Sequence, residues 1–447
     1  MDTKQEKNEK LYKILTYGCQ MNVHDSEILA GMLNQMGYGE AAVEEDADII
    51  LINTCSIRDK AEQKVFGKVG ALKKLKAIKN DLVIGICGCM IQQQKVAERL
   101  QKDFPHVDLL FGTHNIHQLP QMIEKVLFKD ERVLEVWNEE GEVVEGLPRL
   151  RDDGVTAWVT ITYGCNNFCT YCIVPHVRGR ERSRNPQDIV KEIEGIVAKG
   201  YKEITLLGQN VNSYGKDFDE DYDFADLLSE VAKIKELTRI RYMTPHPRDF
   251  TEKLIDVVAA NDKICNHFHL PVQSGSSKVL KAMNRGYDQQ TYLDLVGKIK
   301  EKVNDYSITT DIIVGFPGET EEDFLETLKV VEQVRYDSAF TFAYSPREGT
   351  PAAKMDTQIP QQQKSDRLQR LIEAQNKISR QINDTYVGQV WDVLVEGTSK
   401  NDPNSISGRT KTAKIVNFNG DKDLIGQEVK VKITGSQTWS LTGEIID

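Results

Sequence analysis

Over its first 128 residues the chain alternates short apolar runs with amphipathic stretches. "YKILTYG" (12–18) predicts a strand. In "DSEILAGMLNQMG" (25–37), Ile28, Leu29, Met32, Leu33 and Met36 recur at helical spacing and Gly37 suits the stop, so a helix follows. "ADIILINT" (47–54) is continuously apolar, as expected of a strand covered on both faces. A helix over 58–79, a strand "DLVIGI" (81–86), a helix "IQQQKVAERLQK", a strand "VDLLFG" (107–112) and a helix "IHQLPQMIEKVLF" continue the pattern. This βα alternation predicts an α/β domain over 10–128, a doubly wound parallel sheet with helices on both faces. Residues 129–154 are charged and irregular and read as a linker.

From 155 the alternation resumes with a longer period. Strands are expected at 157–163, 203–208, 238–242, 267–270, 308–314 and 339–343. Helices are expected at 186–199, 223–235, 250–260, 288–303 and 320–334, and a long polar helix with a narrow apolar stripe at 361–384. Six βα units in about 230 residues suggest a full or partial (β/α) barrel over 155–384. A flat doubly wound sheet is the competing architecture. Residues 385–447 change character. "GQVWDVLVEGTS", "SISGRTKTAKIVNF", "GQEVKVKITGSQ" and "WSLTGEII" carry alternating or β-branched residues between Gly, Asn and Asp turns, and so predict a small all-β barrel.

Composition adds bounds. At 447 residues, 40% hydrophobic and 28% charged, the chain divides into several domains that can each bury a core. No run of about 18 or more apolar residues exists, so no transmembrane helix is expected. The opening "MDTKQEKNEK" has no apolar segment, so no secretory signal is expected and the cytoplasm is the expected compartment. There the eight cysteines read as ligands, catalysts or core residues. The net charge of -11 argues against whole-molecule attraction to nucleic acid. It leaves room for a local basic patch such as "HVRGRERSR" (176–184), where Arg178, Arg180, Arg182 and Arg184 oppose only Glu181. The tail is close to charge-balanced.

Cys19, Cys55 and Cys89 each sit just past a predicted strand: "ILTYGC", "IILINTC", "LVIGICGC". Parallel strands bring their C-terminal ends to one edge, where open α/β sheets bind ligands. Three residues spaced by 36 and 34 positions would converge there. Cys87 falls within its strand and reads as core, as does Cys265. "GCNNFCTYC" (164–172) places Cys165, Cys169 and Cys172 after the first barrel strand, on the face where barrel active sites are built. Three thiolates can hold three irons of a [4Fe-4S] cubane and leave the fourth open. A zinc site completed by a distant residue such as His176 is the alternative.

A C-x3-C-x2-C loop after the first barrel strand resembles that of the radical S-adenosylmethionine (SAM) enzymes. The resemblance implies that the open iron is chelated by SAM, which electron transfer cleaves to a 5′-deoxyadenosyl radical. "LLGQN" falls where that family binds the methionine moiety, implicating Gly208, Gln209 and Asn210. "HLPVQSGS" and "DIIVGFPGET" fall where it contacts ribose and adenine, implicating Gln273, Val314 and Gly315. Tyr171 and Arg182 are further expected contacts. The whole chain is similar to the methylthiotransferases, which join a three-cysteine domain, a radical SAM barrel and a TRAM barrel in this order. "TYGCQMNVHDSE" resembles the branch acting on N6-dimethylallyladenosine in tRNA. The branches for threonylcarbamoyladenosine and for a ribosomal protein aspartate differ there. A redox-sensing iron–sulfur RNA-binding protein is the alternative of another class, although a purely structural cluster would usually have four protein ligands.

The resemblance implies transfer of a methylthio group to C2 of that adenine, beside the anticodon (tRNA position 37). No side chain is a strong enough base for that C–H, given ordinary pKa values, whereas a carbon radical can abstract the hydrogen atom. It further implies a second [4Fe-4S] cluster on Cys19, Cys55 and Cys89, and a first domain docked on the C-terminal face of the barrel. The implied partners are the tRNA anticodon stem-loop and an electron donor protein such as flavodoxin or ferredoxin. The base must be turned out of its stack. Arg178, Arg180, Arg184, Arg409, Lys411 and Lys414 are the expected RNA contacts, with Tyr214, Phe342 and Tyr344 as candidates for stacking.

Overall fold

Alternate residues of one central strand, Ile49–Thr54, face opposite layers of the first sheet, and this explains its continuous apolarity. The computed structural model describes residues 10–56, 59–129, 131–137, 141, 143–151, 154–399, 402–403 and 405–446. Residue 58 of the expected helix and linker positions 130, 138–140, 142 and 152–153 lie outside the described residues. The chain divides into two units. One holds residues 1–152 with 163–165 and 173–182; the other holds 153–162, 166–172 and 183–447.

In the first unit, β1 (Leu11–Thr16), β2 (Gly39–Glu40), β3 (Ile49–Thr54), β4 (Val83–Gly88), β5 (Leu109–Phe111) and β6 (Val133–Glu135) form one sheet. Their order is β2-β1-β3-β4-β5-β6 and every pair is parallel. Helices α1 (Gln20–Gln35) and α4 (Leu119–Lys129) pack Ile28, Leu29, Met32, Leu33, Met122 and Ile123 on one face, against Ile49 and Leu51. Helices α2 (Asp59–Ile78) and α3 (Gln94–Asp103) pack Val65, Val69, Leu72 and Leu100 on the other, against Ile50 and Ile52. This is the expected doubly wound sheet. Two strands differ from expectation. β6 lies in the stretch read as linker, and three residues are too short to show a period; pairing with β5 defines it. β2 is shorter still. Helix α1 also starts five residues early. Its first turns bury Asn22, His24, Asp25 and Ser26, so they carry no apolar signal.

The chain then runs through β7 (Thr156–Thr160), the two-residue strands β8 (Thr162–Tyr163) and β9 (Arg182–Ser183), and, between those two, α5 (Val174–Arg178). It continues through α6 (Pro186–Val197), β10 (Glu203–Leu207), α7 (Phe224–Val231), β11 (Arg239–Tyr242), α8 (Glu252–Ala259) and β12 (His267–His269). Next come α9 (Ser277–Ala282), α10 (Gln289–Lys302), β13 (Ser307–Val314), α11 (Glu321–Val334), β14 (Ser338–Ala343) and α12 (Gln361–Asp384). In the second unit β10 pairs with β7 and β11, and β13 with β12 and β14, all parallel. A parallel bridge of Ile240 to Ile264 joins the two halves. Spatial order therefore follows chain order, as in a barrel and unlike a doubly wound sheet. No pairing of β7 with β14 occurs among the described residues, so the barrel is partial. Its core is one cluster that includes Val159, Ile204, Ile240, Phe268, Ile308 and Ile312.

The tail forms the expected small barrel, closed in the order β15 (Val390–Thr398), β16 (Ser405–Thr410), β17 (Ile415–Asn419), β19 (Leu441–Ile445), β18 (Glu428–Ser436). Two buried arginines fasten it to the strands of the larger barrel. Arg239 donates to the carbonyls of Arg409 and Asp392 and pairs with Glu428 at 2.7 Å. Arg241 pairs with Glu203 at 2.9 Å and donates to the carbonyls of Thr410 and Lys411. Both Arg241 and Glu203 are buried, and removing one partner strands the other charge. Arg241→Met is expected to lower the stability of this unit by about 3–5 kcal/mol in urea denaturation. Arg380→Ala, which breaks the half-exposed pair with Asp384, is expected to change it by less than about 0.5 kcal/mol. Equal losses from the two substitutions would refute the junction's role.

Candidate functional site

β1, β3 and β4 are adjacent in the sheet, so the residues that follow them share one edge. Cys19 is the residue before α1, Cys55 follows β3 directly, and Cys89 follows β4. A side chain on Gly18 would put its Cβ 2.6 Å from that of Cys55, and the Cys89 amide donates to the Thr54 carbonyl at 3.1 Å. A buried amide network supports this edge. Asn22 accepts from the Cys19 thiol at 3.3 Å and donates to Asn53 Oδ1 at 3.0 Å and to the Thr54 carbonyl at 2.8 Å. Asn53 in turn donates to the Asn22 carbonyl and to Ser26 Oγ. Burial pushes the Cys89 thiol up to about 11; Arg178 pulls it down, while Cys55 and Cys19 push it further up. Cys87 is buried in the α1/α4 layer, in keeping with its reading as core. Among the described residues no three His, Cys, Asp or Glu side chains close on a single metal ion. A cubane, which takes each thiolate on a separate iron, fits this donor set better than zinc does.

Segment 173–182 belongs to this first unit. Ile173 and Val177 pack on Cys89, and Thr113 Oγ1 donates to the Val177 carbonyl at 2.7 Å. Arg178, expected at RNA, is instead buried: it pairs with Asp25 at 2.7 Å and donates from Nε to Cys89 Sγ at 3.2 Å. Arg182, expected at SAM, donates to the carbonyls of Gly141 and Arg178. With Arg178, Asp25, Thr113, His117 and Tyr163 it lines a cavity of about 60 Å³. Arg184, in the second unit, is only 2% exposed and pairs with Glu192 at 2.8 Å. Of the four arginines, Arg178 and Arg184 are buried, Arg182 is half-buried and Arg180 is exposed. The countercharges for Arg178 and Arg184 come from Asp25 and Glu192, so a local charge count cannot reveal them.

The second cysteine loop is held from outside. Within the second unit, Asn284 Nδ2 donates to the carbonyls of Asn167 and Phe168, and the Thr170 amide and hydroxyl donate to Met283 and Ala282. Phe168 sits at φ +47°, a conformation costing on the order of 1–3 kcal/mol that persists only when its surroundings impose it. Arg248 donates to Asn167 Oδ1. Arg285, 5% exposed, donates to Cys169 Sγ at 3.4 Å, Tyr171 Oη at 3.4 Å and the Pro271 carbonyl at 2.8 Å. Cys169 is buried and Cys172 half-buried. Cys165 is buried in the first unit, its amide on the Gly179 carbonyl at 3.2 Å. None of Asn284, Arg248 and Arg285 stood out in the sequence; the only signal is "MNR" after a short helical segment.

At the C-terminal ends of β10 and β11 several buried polar atoms have no protein partner among the described residues: Gln209 Oε1, Asn210 Oδ1 and His246 Nε2. Such atoms call for a ligand or water. His246 Nδ1 accepts from the Arg248 amide at 3.2 Å, so the proton is on Nε2, which is left to donate. Burial, with Arg285 and Arg248 adding to it, pulls the His246 imidazole down to about 2. Asp249 sits low, also at about 2: burial opposes this, but hydrogen bonds from Arg248, Lys216 and Asn210 outweigh it. Gly208 leaves no room for a side chain, since a Cβ would lie 2.5 Å from Thr162 Cγ2. Gln273, at φ +68°, is buried and bridges to β13. The Gly315 amide donates to Glu319 Oε1 at 2.9 Å. Val314 is core, and its carbonyl accepts from the Tyr344 amide. These groups fit the polar ends of a ligand such as SAM, with Val314 able to contribute only shape.

In the small barrel, Lys414 departs from the RNA expectation. It is buried, paired with Asp337 at 2.6 Å and bonded to Asn383. Arg409 pairs with Glu396 at 3.2 Å. Lys411 is half-buried, and its ammonium has no partner among the described residues. Tyr214 and Tyr344 are buried, whereas Phe342 is 45% exposed.

Comparison with known proteins follows this division of the chain. Residues 159–331 match the Radical SAM superfamily, 11–112 the uncharacterized protein family UPF0004, and 384–446 the TRAM domain. A tRNA-2-methylthio-N6-dimethylallyladenosine synthase of Carboxydothermus hydrogenoformans is 59% identical over 98% of this chain and 100% of its own. One of Clostridium perfringens is 57% identical over 98% of each chain. Among solved structures, the radical SAM methyltransferase TsrM of Kitasatospora setae with cobalamin and a [4Fe-4S] cluster superposes with a TM-score of 0.56. It is 13% identical and covers 77% of this chain and 74% of that one, which shows a shared fold.

The burial of His246 has a measurable consequence. Its folded pKa lies below the ordinary value near 6.5, so the unfolded chain binds a proton that the folded chain refuses. Stability is therefore expected to fall as pH drops from about 6 to about 4, by roughly 1 kcal/mol per unit from this group. His246→Gln should flatten that part of the profile in denaturation of the cluster-free protein. An unchanged slope would show that the imidazole is not held neutral.

Proposed function

The chain belongs to the family of tRNA-2-methylthio-N6-dimethylallyladenosine synthases, and from that footing we propose that it adds a methylthio group to C2 of N6-dimethylallyladenosine beside the anticodon. It is a radical SAM tRNA methylthiotransferase. The observation that carries the reading is the pair of three-thiol sets, each placed where parallel strands end and each one ligand short of a closed site. Cys165, Cys169 and Cys172 would hold one [4Fe-4S] cluster, and Cys19, Cys55 and Cys89 the second. When bound, the clusters and SAM would supply the methylthio sulfur, the methyl group and the hydrogen-abstracting radical.

The chain's own part is positioning. Asn210 and His246 offer an acceptor and a neutral donor for the polar ends of SAM, and Gly208 lets the turn that carries them pack on Thr162. Gln209, Gln273, Gly315 and Tyr171 would add further contacts to SAM. The clamp on loop 166–172 keeps that loop in one geometry, which favours a precisely placed reaction. Arg180, Lys411 and Arg409 remain the candidates for tRNA phosphates, and Phe342 for a base. For the substrate, the names of relatives 53–59% identical over the chain favour dimethylallyladenosine over threonylcarbamoyladenosine or a ribosomal protein. A low-potential one-electron donor protein such as flavodoxin or ferredoxin would complete the system in the cytoplasm. No helix among the described residues is long and apolar enough to cross a membrane.

Anaerobic reconstitution is expected to give about eight irons per chain, falling towards four in Cys19→Ala, Cys55→Ala or Cys89→Ala. An unchanged iron count in those variants would remove the second cluster. With SAM and reductant the protein should release 5′-deoxyadenosine, and Cys169→Ala should abolish it. Mass spectrometry of tRNA from a deletion strain should show the methylthio mark lost from dimethylallyladenosine. Its persistence in a strain with no second copy of the enzyme would refute the substrate.

A further inference from the structure

Each thiol set has a buried arginine hydrogen-bonded to one of its sulfurs, but the two differ in charge balance. Arg285 donates to Cys169 Sγ at 3.4 Å, and its other partners are Tyr171 Oη, Tyr287 Oη and the Pro271 carbonyl. None is a carboxylate, and phenols are neutral near pH 7. Asp249, the carboxylate on the neighbouring loop, is itself shared by Arg248 and Lys216. Arg285 thus keeps a whole positive charge in a buried setting. Arg178 donates to Cys89 Sγ at 3.2 Å, but Asp25 lies 2.7 Å from it and cancels its charge. Arg182 beside it is half-buried and donates to the carbonyls of Gly141 and Arg178.

A nearby positive charge stabilises the more negative, reduced form of a cluster, and does so strongly where water is excluded. A hydrogen bond to a ligating sulfur acts in the same direction. We propose that Arg285 and the Arg178–Asp25 pair set the two clusters to different reduction potentials, directing the incoming electron to the cluster on Cys165, Cys169 and Cys172. The step is one electron from a low-potential one-electron donor, taking that cluster from its 2+ to its 1+ state with no proton moved. Asp25 keeps the other cluster harder to reduce. The inference rests on the two-cluster reading above. Arg285 and Asp25 are positioning residues in it, acting through the cluster ligands.

The test uses full-length protein in two backgrounds. In one, Cys19, Cys55 and Cys89 are alanine; in the other, Cys165, Cys169 and Cys172 are alanine. Iron content and the electron paramagnetic resonance signal of the parents come first, and loss of the cluster there would overturn the cluster assignment. The midpoint potential is then read from that signal at graded potentials set with dithionite. In the first background, Arg285→Gln should lower the reduced-to-oxidised ratio at the parent's midpoint at least tenfold, about 59 mV for one electron. Arg285→Lys, which keeps the charge, should stay close to the parent. In the second background, Asp25→Asn should raise the potential. An unchanged potential in Arg285→Gln or in Asp25→Asn would overturn the proposal, as would a fall in Arg285→Lys as large as in Arg285→Gln. Should Arg285→Gln carry no cluster, the lysine and Asp25→Asn variants decide.

Discussion

Parallel strands joined by helices all end at the same edge of their sheet, and both candidate sites depend on that constraint. Cys19, Cys55 and Cys89 are far apart in sequence, yet β1, β3 and β4 are adjacent and carry each of them to one edge. The same rule places "GCNNFCTYC", "GQN" and "TPHPRD" at the ends of β7, β10 and β11. Neither site requires a long-range coincidence. Each needs only that the apolar runs form strands in the right order.

Edges alone do not hold loops, and here buried polar groups do so. Asn22 and Asn53 tie the Cys19 turn to β3 and to the residue before Cys55. Asn284 and Arg285 hold the second loop in a conformation that Phe168 would not adopt freely. Arg239 and Arg241 fix the small barrel to the larger one. Buried polar groups left unpaired are costly, so such networks form completely or the local fold gives way. Where they are incomplete among the described residues, at Asn210 and His246, the buried polar atoms call for a ligand or water.

Charged residues illustrate what local reading cannot provide. "HVRGRERSR" looks like a basic patch because only Glu181 opposes its arginines nearby in sequence. In the fold, Arg178 meets Asp25 and Arg184 meets Glu192. Lys414 likewise meets Asp337. Whether a cation faces solvent, a countercharge or a sulfur depends on which elements pack beside it. Buried ion pairs of this kind contribute little net stability, yet removing one partner is costly because it strands the other charge.

The order and class of the elements could be read along the chain, because period, apolar runs and turn residues are local properties. The places of Cys19, Cys55 and Cys89 just past strand ends were legible as well, because position relative to a strand end is local too. Features without a local signature emerged only from packing. The three-residue β6 exists because β5 offers it a pairing edge. The partial barrel was separated from a flat sheet by Ile240 pairing with Ile264 across its two halves. Arg285 lies at Cys169 with no carboxylate and Arg178 at Cys89 with one, because packing brings distant segments together. Burial turns those approaches into electrostatics, since charges interact strongly only where water is excluded.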